Sequence, residues 1–173
     1  MADARTIADI FERHARLLAR TPARGLLTFA TSARLVDGLR CEITDGPWRL
    51  SADMPEKIGG TDTAPSPGML GRGALAGCLT IGISRWAARL GVPVEALEVT
   101  VEADLDARGE LGACDDVQPG YSEVRYTISL RSPAPRDRIA ALLATAERHS
   151  PYLDIFGRPV ALRGAHRING EGA

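Results

Sequence analysis

The chain of 173 residues has the length of one domain, and its 45 % apolar and 25 % charged residues suit a globular protein that buries a core without disulfides or metal. A formal net charge of -1, with Lys57 as the only lysine, leaves no basic surface for a nucleic-acid backbone. No run approaches the roughly 18 apolar residues that span a bilayer, and MADARTIADIFERHARLLAR lacks the apolar stretch of a signal peptide. A cytoplasmic protein is expected, with no nucleic-acid or membrane partner.

Taken in order, residues 4–20 read as an amphipathic helix, with Ile7, Phe11, His14 and Leu18 at helical spacing. His14 there reads as a packed or half-exposed residue, not a ligand. Thr21-Pro22 ends the helix. A strand meander follows. Leu27, Phe29, Thr31, Ala33 and Leu35 alternate, as do Leu39, Cys41 and Ile43, then Trp48, Leu50 and Ala52. Asp37-Gly38 and Asp45-Gly46 mark its two turns. Cys41 is in phase with Leu39 and Ile43 and reads as core packing.

Residues 53–66, DMPEKIGGTDTAPS, form a long Pro- and Gly-rich loop, a type that is often functional. Ser66 fits the N-cap of the next helix, Pro67 its first residue, and Gly91 its left-handed terminus. Beyond it, Leu97, Val99, Val101, Ala103 and Leu105 alternate with Glu98, Thr100, Glu102, Asp104 and Asp106, which predicts one buried and one wet, acidic face. A turn-rich connection over 107–120 carries Cys114, and Val124, Tyr126, Ile128 and Leu130 mark a partner strand. A helix on Ile139, Leu142, Leu143 and Ala146 precedes a shorter one that Ser150-Pro151 starts. Val160 and Leu162 predict a last strand, and the tail GAHRINGEGA is expected to be loose. The fold class that follows is α+β with mainly antiparallel pairing.

The helix 67–90 carries Gly68, Gly71, Gly73, Gly77 and Gly82, and each interior glycine costs about 1 kcal/mol relative to alanine. Such residues imply that something comes close. Gly71, Ala74, Cys78 and Gly82 share one narrow face, flanked by Leu75 and Ile81; they form the candidate pocket. Leu79, Ile83, Trp86 and Leu90 form an opposing bulky stripe. Spacing alone leaves Cys78 open between inert packing and a reactive thiol in a narrow apolar slot. Cys41, Cys78 and Cys114 are odd in number and widely spaced, so free thiols are expected, with no disulfide framework, metal or cofactor. GMLGRG lacks the order of a dinucleotide loop.

The string IGGTDTAPSPGMLGRGALAGCLTIGISRWAARLGV, with DMPEKIGG before it and LEVTVEADLDARG and RHSPYLDIF after it, resembles the OsmC/Ohr superfamily over roughly residues 27–163. The resemblance implies an intertwined homodimer with antiparallel sheets around a long central helix. The domain then divides into a helical extension (1–22), the meander and Gly-Gly loop (23–66), the central helix (67–91), and strands with a C-terminal helix pair (92–173). It also implies a thiol peroxidase that reduces organic hydroperoxides. Cys78 takes the peroxidatic position. Ser150 stands where the family has its resolving cysteine, and Gly68 where it has a helix-start glutamate. Arg34, Arg40 and Lys57 are the candidate thiolate-stabilising cations. Serine forms no disulfide, so a catalytic Cys78 would need an external thiol reductant. Three functions fit these residues: a single-cysteine peroxidase for organic hydroperoxides, a non-catalytic protein binding an apolar ligand in the same pocket, and, ranked last, a redox sensor in which oxidation of Cys78 alters the dimer.

Overall fold

The structure, a computed structural model, describes residues 3–169 and 171–172. Helix α1 spans Ala4–Arg20; the Asp3 side chain accepts from Thr6 N–H at 2.8 Å to cap it. Its half-buried face is Ile7, Ala8, Phe11, Glu12 and Ala15, whereas His14 and Leu18 of the expected stripe are exposed. The helix is turned by part of a residue step because small Ala8 and Ala15 let it lie against its neighbour.

Strands β1 (Ser32–Asp37), β2 (Arg40–Asp45) and β3 (Trp48–Ala52) form an antiparallel meander in the order β1-β2-β3. Asp37 pairs with Arg40 and Asp45 with Trp48, so the tight loops are Gly38-Leu39 and Gly46-Pro47, one residue later than the sequence signal suggested. Gly38 and Gly46, both at φ 51°, supply the left-handed residue that each turn needs. The register puts Leu35 opposite Cys41 and Cys41 opposite Ala52, with Ile43 opposite Leu50, so one face of the sheet is apolar. The other face carries Arg34, Glu42 and Ser51. The strand expected from Leu27 begins only at Ser32. Leu27 and Phe29, 68 % and 81 % exposed, have no neighbouring strand among the described residues.

The loop after β3 is stapled by Asp53, which is buried. Its carboxylate accepts from Met54 N–H, from the N–H and hydroxyl of Thr61, and from the N–H and hydroxyl of Thr63, at 2.6–3.2 Å. These bonds hold the carboxyl well below the usual range, the Thr61 hydroxyl most of all. Gly60 sits against the turn: a Cβ there would lie 1.8 Å from the Met54 carbonyl oxygen. Packing therefore requires Gly60, and the left-handed φ of 92° requires Gly59.

Helix α2 runs Pro67–Leu90. Ser66 Oγ accepts from Met69 N–H, and Gly91, at φ 61° and ψ 36°, closes the helix through bonds to Ala87 and Ala88 carbonyls. Leu75, Leu79, Ile83 and Ala87 are its buried stripe. Strands β4 (Ala96–Leu105) and β5 (Tyr121–Arg131) pair antiparallel, joined through the single turn α3 (Ala107–Glu110). Leu97, Val99, Ile128 and Leu130 lie over the core, and the acidic face stays wet, with Asp104 paired to Arg125. Helix α4 (Arg136–Arg148) closes that core: Ile83, Ala87, Val92, Leu142 and Ala146 form one buried cluster. Helix α5 spans Pro151–Gly157.

The strand expected at Val160 and Leu162 does not form, and Leu162 is 95 % exposed. An extended segment needs a ladder partner to count as a strand, and the described residues offer none. The tail, expected to be loose, folds into a short hairpin of β6 (Arg167–Ile168) and β7 (Glu171–Gly172).

Candidate functional site

Cys78 lies about 16 Å along α2 from Pro67 at 1.5 Å per residue, so the helix N-terminus is remote and local side chains set its surroundings. The residue is half-buried and opens into a cleft of about 280 Å³. Ile81, Gly82, Arg85 and Trp86 reach this cleft from α2 at the third to eighth positions after Cys78, the spacing of one helix face. His149, Ser150 and Pro151 come from the junction of α4 and α5, and Phe11 from α1.

The α4–α5 junction brings Ser150 Oγ within 3.7 Å of Cys78 Sγ. Ser150 is buried and also accepts from Leu153 N–H at 3.3 Å, so one hydroxyl caps α5 and meets the sulfur. Trp86 is the hub of the aromatic wall. His149 stacks on it with ring centroids 5.0 Å apart, and Phe11 meets it edge-on at 4.9 Å. Arg85 places its guanidinium 4.9 Å from the Phe11 ring centre and is the cation of the cleft. The site thus combines one thiol, one hydroxyl, one guanidinium and an aromatic wall.

Of the residues expected at the site from sequence, Cys78, Ile81, Gly82 and Ser150 line this cleft. Leu75 is fully buried and belongs to the core stripe, because it falls between Leu79 and the helix start on the inward face. Gly71 and Ala74 lie further toward the N-terminus of α2 and do not line this cleft. The expected cations are elsewhere in the chain: Arg34 is exposed and pairs with Glu42 on the polar face of the meander, Arg40 begins β2, and Lys57 is exposed in the turn Glu56–Ile58. Phe11, Arg85, Trp86 and His149 complete the site. Arg85 was legible as the seventh residue after Cys78 on a helix; Phe11, in a separate helix, carried no such signal.

A second cleft, about 530 Å³, lies at the N-terminal end of α2. Gly68 is in it. Tyr121 Oη donates to the Gly68 carbonyl at 3.1 Å, and Arg72 Nη1 donates to Tyr121 Oη at 3.1 Å. A Cβ on Gly68 would stand 3.4 Å from both. Ten residues of helix, about 15 Å, separate Gly68 from Cys78, so the two ends of α2 are distinct places within one chain. Among the described residues no group of His, Cys, Asp and Glu is arranged to hold a metal, and no helix is long and apolar enough to cross a membrane.

Residues 60–163, more than half of the chain, match the model of the OsmC-like protein family. The chain belongs to the OsmC-like family. Solved structures agree on the fold. An OsmC-like protein from Mycoplasma pneumoniae superposes with a TM-score of 0.65 at 14 % identity, over 76 % of this chain and 88 % of its own. The organic hydroperoxide resistance protein OsmC of Legionella pneumophila gives 0.53 at 24 % identity, over 75 % and 88 %. An OsmC-like hydroperoxide resistance protein from Jannaschia sp. CCS1 gives 0.53 at 22 %, over 81 % and 92 %. No curated protein matches the sequence. Helix α1, which supplies Phe11 to the Cys78 cleft, precedes the residues that match the family model.

Proposed function

We propose that the protein is a homodimeric thiol peroxidase that reduces organic hydroperoxides through Cys78 alone. The observation that carries this reading is the cleft itself: the one sulfur on the small-residue face of α2 opens between an apolar wall, a guanidinium and a buried hydroxyl. Membership of the OsmC-like family and likeness to proteins named for organic hydroperoxide resistance support the substrate class.

In this reading the Cys78 thiolate attacks the terminal oxygen of the hydroperoxide, the O–O bond breaks, and the departing alkoxide takes a proton and leaves as an alcohol. Cys78 is left as a sulfenic acid. Arg85 offers positive charge to the thiolate and to the departing oxygen. Ser150 at 3.7 Å hydrogen-bonds the sulfur but forms no disulfide. One external thiol then condenses with the sulfenic acid, releasing water and forming a mixed disulfide; a second thiol releases Cys78 and leaves as the oxidised disulfide.

The homodimer rests on surfaces the single chain leaves open. The apolar face of the meander exposes Leu35 at 67 %, Leu50 at 56 % and Trp48 at 73 %, and among the described residues no helix packs substantially on it. A Cβ at Gly71, Gly73, Gly77 or Gly82 would meet nothing within 4 Å. The close approach that these glycines permit is therefore absent among the described residues of one chain, and a second copy would supply it.

The test is hydroperoxide consumption with a supplied thiol, read beside the mass of the Cys78 peptide. Wild type should gain about 16 Da at Cys78 before reduction. Cys78→Ser should fall to the uncatalysed rate, a loss of more than about 100-fold. Unchanged turnover in that variant, or oxidation at Cys78 no faster than at Cys41 and Cys114, would sink the reading. A second reading has its own observation: Ser150 is fully accounted for as the cap of α5. A non-catalytic binder of an apolar ligand would show ligand-raised thermal stability that survives Cys78→Ser.

A further inference from the structure

We propose that Phe11, on the N-terminal helix, is the specificity-determining wall of the Cys78 cleft. The proposal rests on reading Cys78 as a reactive pocket thiol and goes beyond it, to the residue that decides which molecules reach the sulfur.

Phe11 stands between two clefts. On one side is the cleft of about 280 Å³ that holds Cys78. On the other is an apolar groove of about 440 Å³ between α1 and α2, with Ile7 and Ile10 on one bank and Thr80 and Ser84 on the other. Phe11, Ile81 and Arg85 line both. The aromatic ring is the part of this partition that α1 contributes.

The ring is held in place from several directions. Trp86 meets it at 4.9 Å and an interplanar angle of 61°. The guanidinium groups of Arg85 and Arg89 lie 4.9 Å and 4.8 Å from its centre, one turn apart on α2. Arg89 Nε donates to Glu12 Oε1 at 2.6 Å, so the residue after Phe11 latches α1 to the same arginine. Cation–π contacts and a partly buried ion pair fix a side chain without burying it. Helix α1 contains no buried residue, so it is no part of the main core. What its attachment builds is the wall beside Cys78.

A wall of this kind selects by size. With the ring present, a molecule that reaches Cys78 must fit the cleft of about 280 Å³ alone. With the ring truncated, the cleft and the groove join, and extended or multi-ring molecules can lie along α2 while their reactive end meets the sulfur. Arg85, common to both spaces, is retained.

The experiment compares two reagents of the same chemistry and different size, N-ethylmaleimide and pyrene maleimide, with the rate of addition read on the Cys78 peptide. In Phe11→Ala the pyrene rate should rise at least about tenfold relative to the ethyl rate, the lower range of steric selection by an apolar pocket. The ethyl rate itself should change by less than about twofold. Phe11→Leu, which keeps a bulky side chain, should give a smaller rise, and Glu12→Gln, which keeps the ring and loosens the latch, a smaller one again. An unchanged ratio in Phe11→Ala, or equal acceleration with both reagents, would overturn the wall. The ratio is read without hydroperoxide. A Cys78 that discriminates between maleimides yet ignores hydroperoxide would overturn the peroxidase reading and leave the wall standing; normal peroxide turnover with an unchanged ratio would do the reverse.

Discussion

The helical body and the strand meander share one chain and one kind of patterning, and they treat their apolar faces oppositely. In the body, Ile83 and Leu142 are completely buried, and α4 and the β4–β5 pair close over α2. In the meander, register puts Leu35, Cys41, Ile43, Leu50 and Ala52 on one face, and Leu35 and Leu50 remain more than half exposed. Antiparallel sheets commonly leave one face wet, but that face is ordinarily the polar one. Here both faces of the meander are open. The glycine face of α2 is open as well: a Cβ at Gly71, Gly73, Gly77 or Gly82 would meet nothing within 4 Å. The β4–β5 and α4 side of α2 is closed within one chain, and the meander's apolar face is not.

The largest expected effects separate these two regions. Leu142→Ala removes a fully buried side chain from the body and should cost about 2–5 kcal/mol in denaturant unfolding, because the cavity cannot fully collapse. Leu50→Asp changes a residue that is 56 % exposed in the single chain. If a second copy covers the meander, Leu50→Asp should shift the mass in sedimentation equilibrium toward the 18.4 kDa of one chain and leave helix content near wild type. Sedimentation of Leu50→Asp identical to wild type would break the comparison: the apolar face would then be free surface.

The loop between the two regions gives the next effect. Asp53 accepts from Met54, Thr61 and Thr63, and its pKa is depressed in the folded chain by those bonds. A depressed folded value means that the unfolded state binds the proton more readily. The stabilisation is therefore fully present above the unfolded carboxyl value of about 3.9 and is lost as pH falls below it. Asp53→Asn turns an NH₂ toward groups that are already donors. The variant should melt lower than wild type near neutral pH, by about 5 °C or more. Its melting temperature should then approach that of wild type as both are taken below pH ~4. A constant gap across that range would mean that the carboxylate is not what holds the loop.

The same contrast shows what could be read without coordinates. The spans of helix α1 and helix α2 were legible to the residue, α1 from its apolar spacing and α2 from Ser66 at its start and Gly91 at its end. Alternation assigned the inward face of β4 and β5 correctly. The failures share one cause. The segment at Leu27–Thr31 and the one at Val160–Leu162 alternate like strands, but a strand is a pair, and a sequence does not say where the partner is. The glycines of α2 predicted a close approach that the single chain does not make. At the site, Cys78 and Ser150 were legible and are adjacent, while Leu75 fell to the core and the expected arginines lie elsewhere in the chain. Arg85 lay within helical reach of the sequence argument; Phe11 depends on how two helices pack, which no local pattern encodes.

The smallest structural change tests the point where body and site coincide. Ser150 caps α5 and touches Cys78, and the two roles respond differently to substitution. Ser150→Ala loses the cap and should cost about 1 kcal/mol, with Cys78 still oxidised by hydroperoxide. Ser150→Cys places a second sulfur where Oγ now stands 3.7 Å from Cys78 Sγ. Closing that gap to the ~2.05 Å of a disulfide asks for side-chain rotation and a small movement of the short helix α5, which has no buried residue to resist it. One equivalent of hydroperoxide should then leave the Ser150→Cys variant about 2 Da lighter, with the peptides carrying positions 78 and 150 linked and no external thiol consumed. A stable sulfenic acid on Cys78 beside a free thiol at position 150 would show that the α4–α5 junction is rigid. In that case Ser150 is held by its cap, and its nearness to the sulfur follows from packing alone.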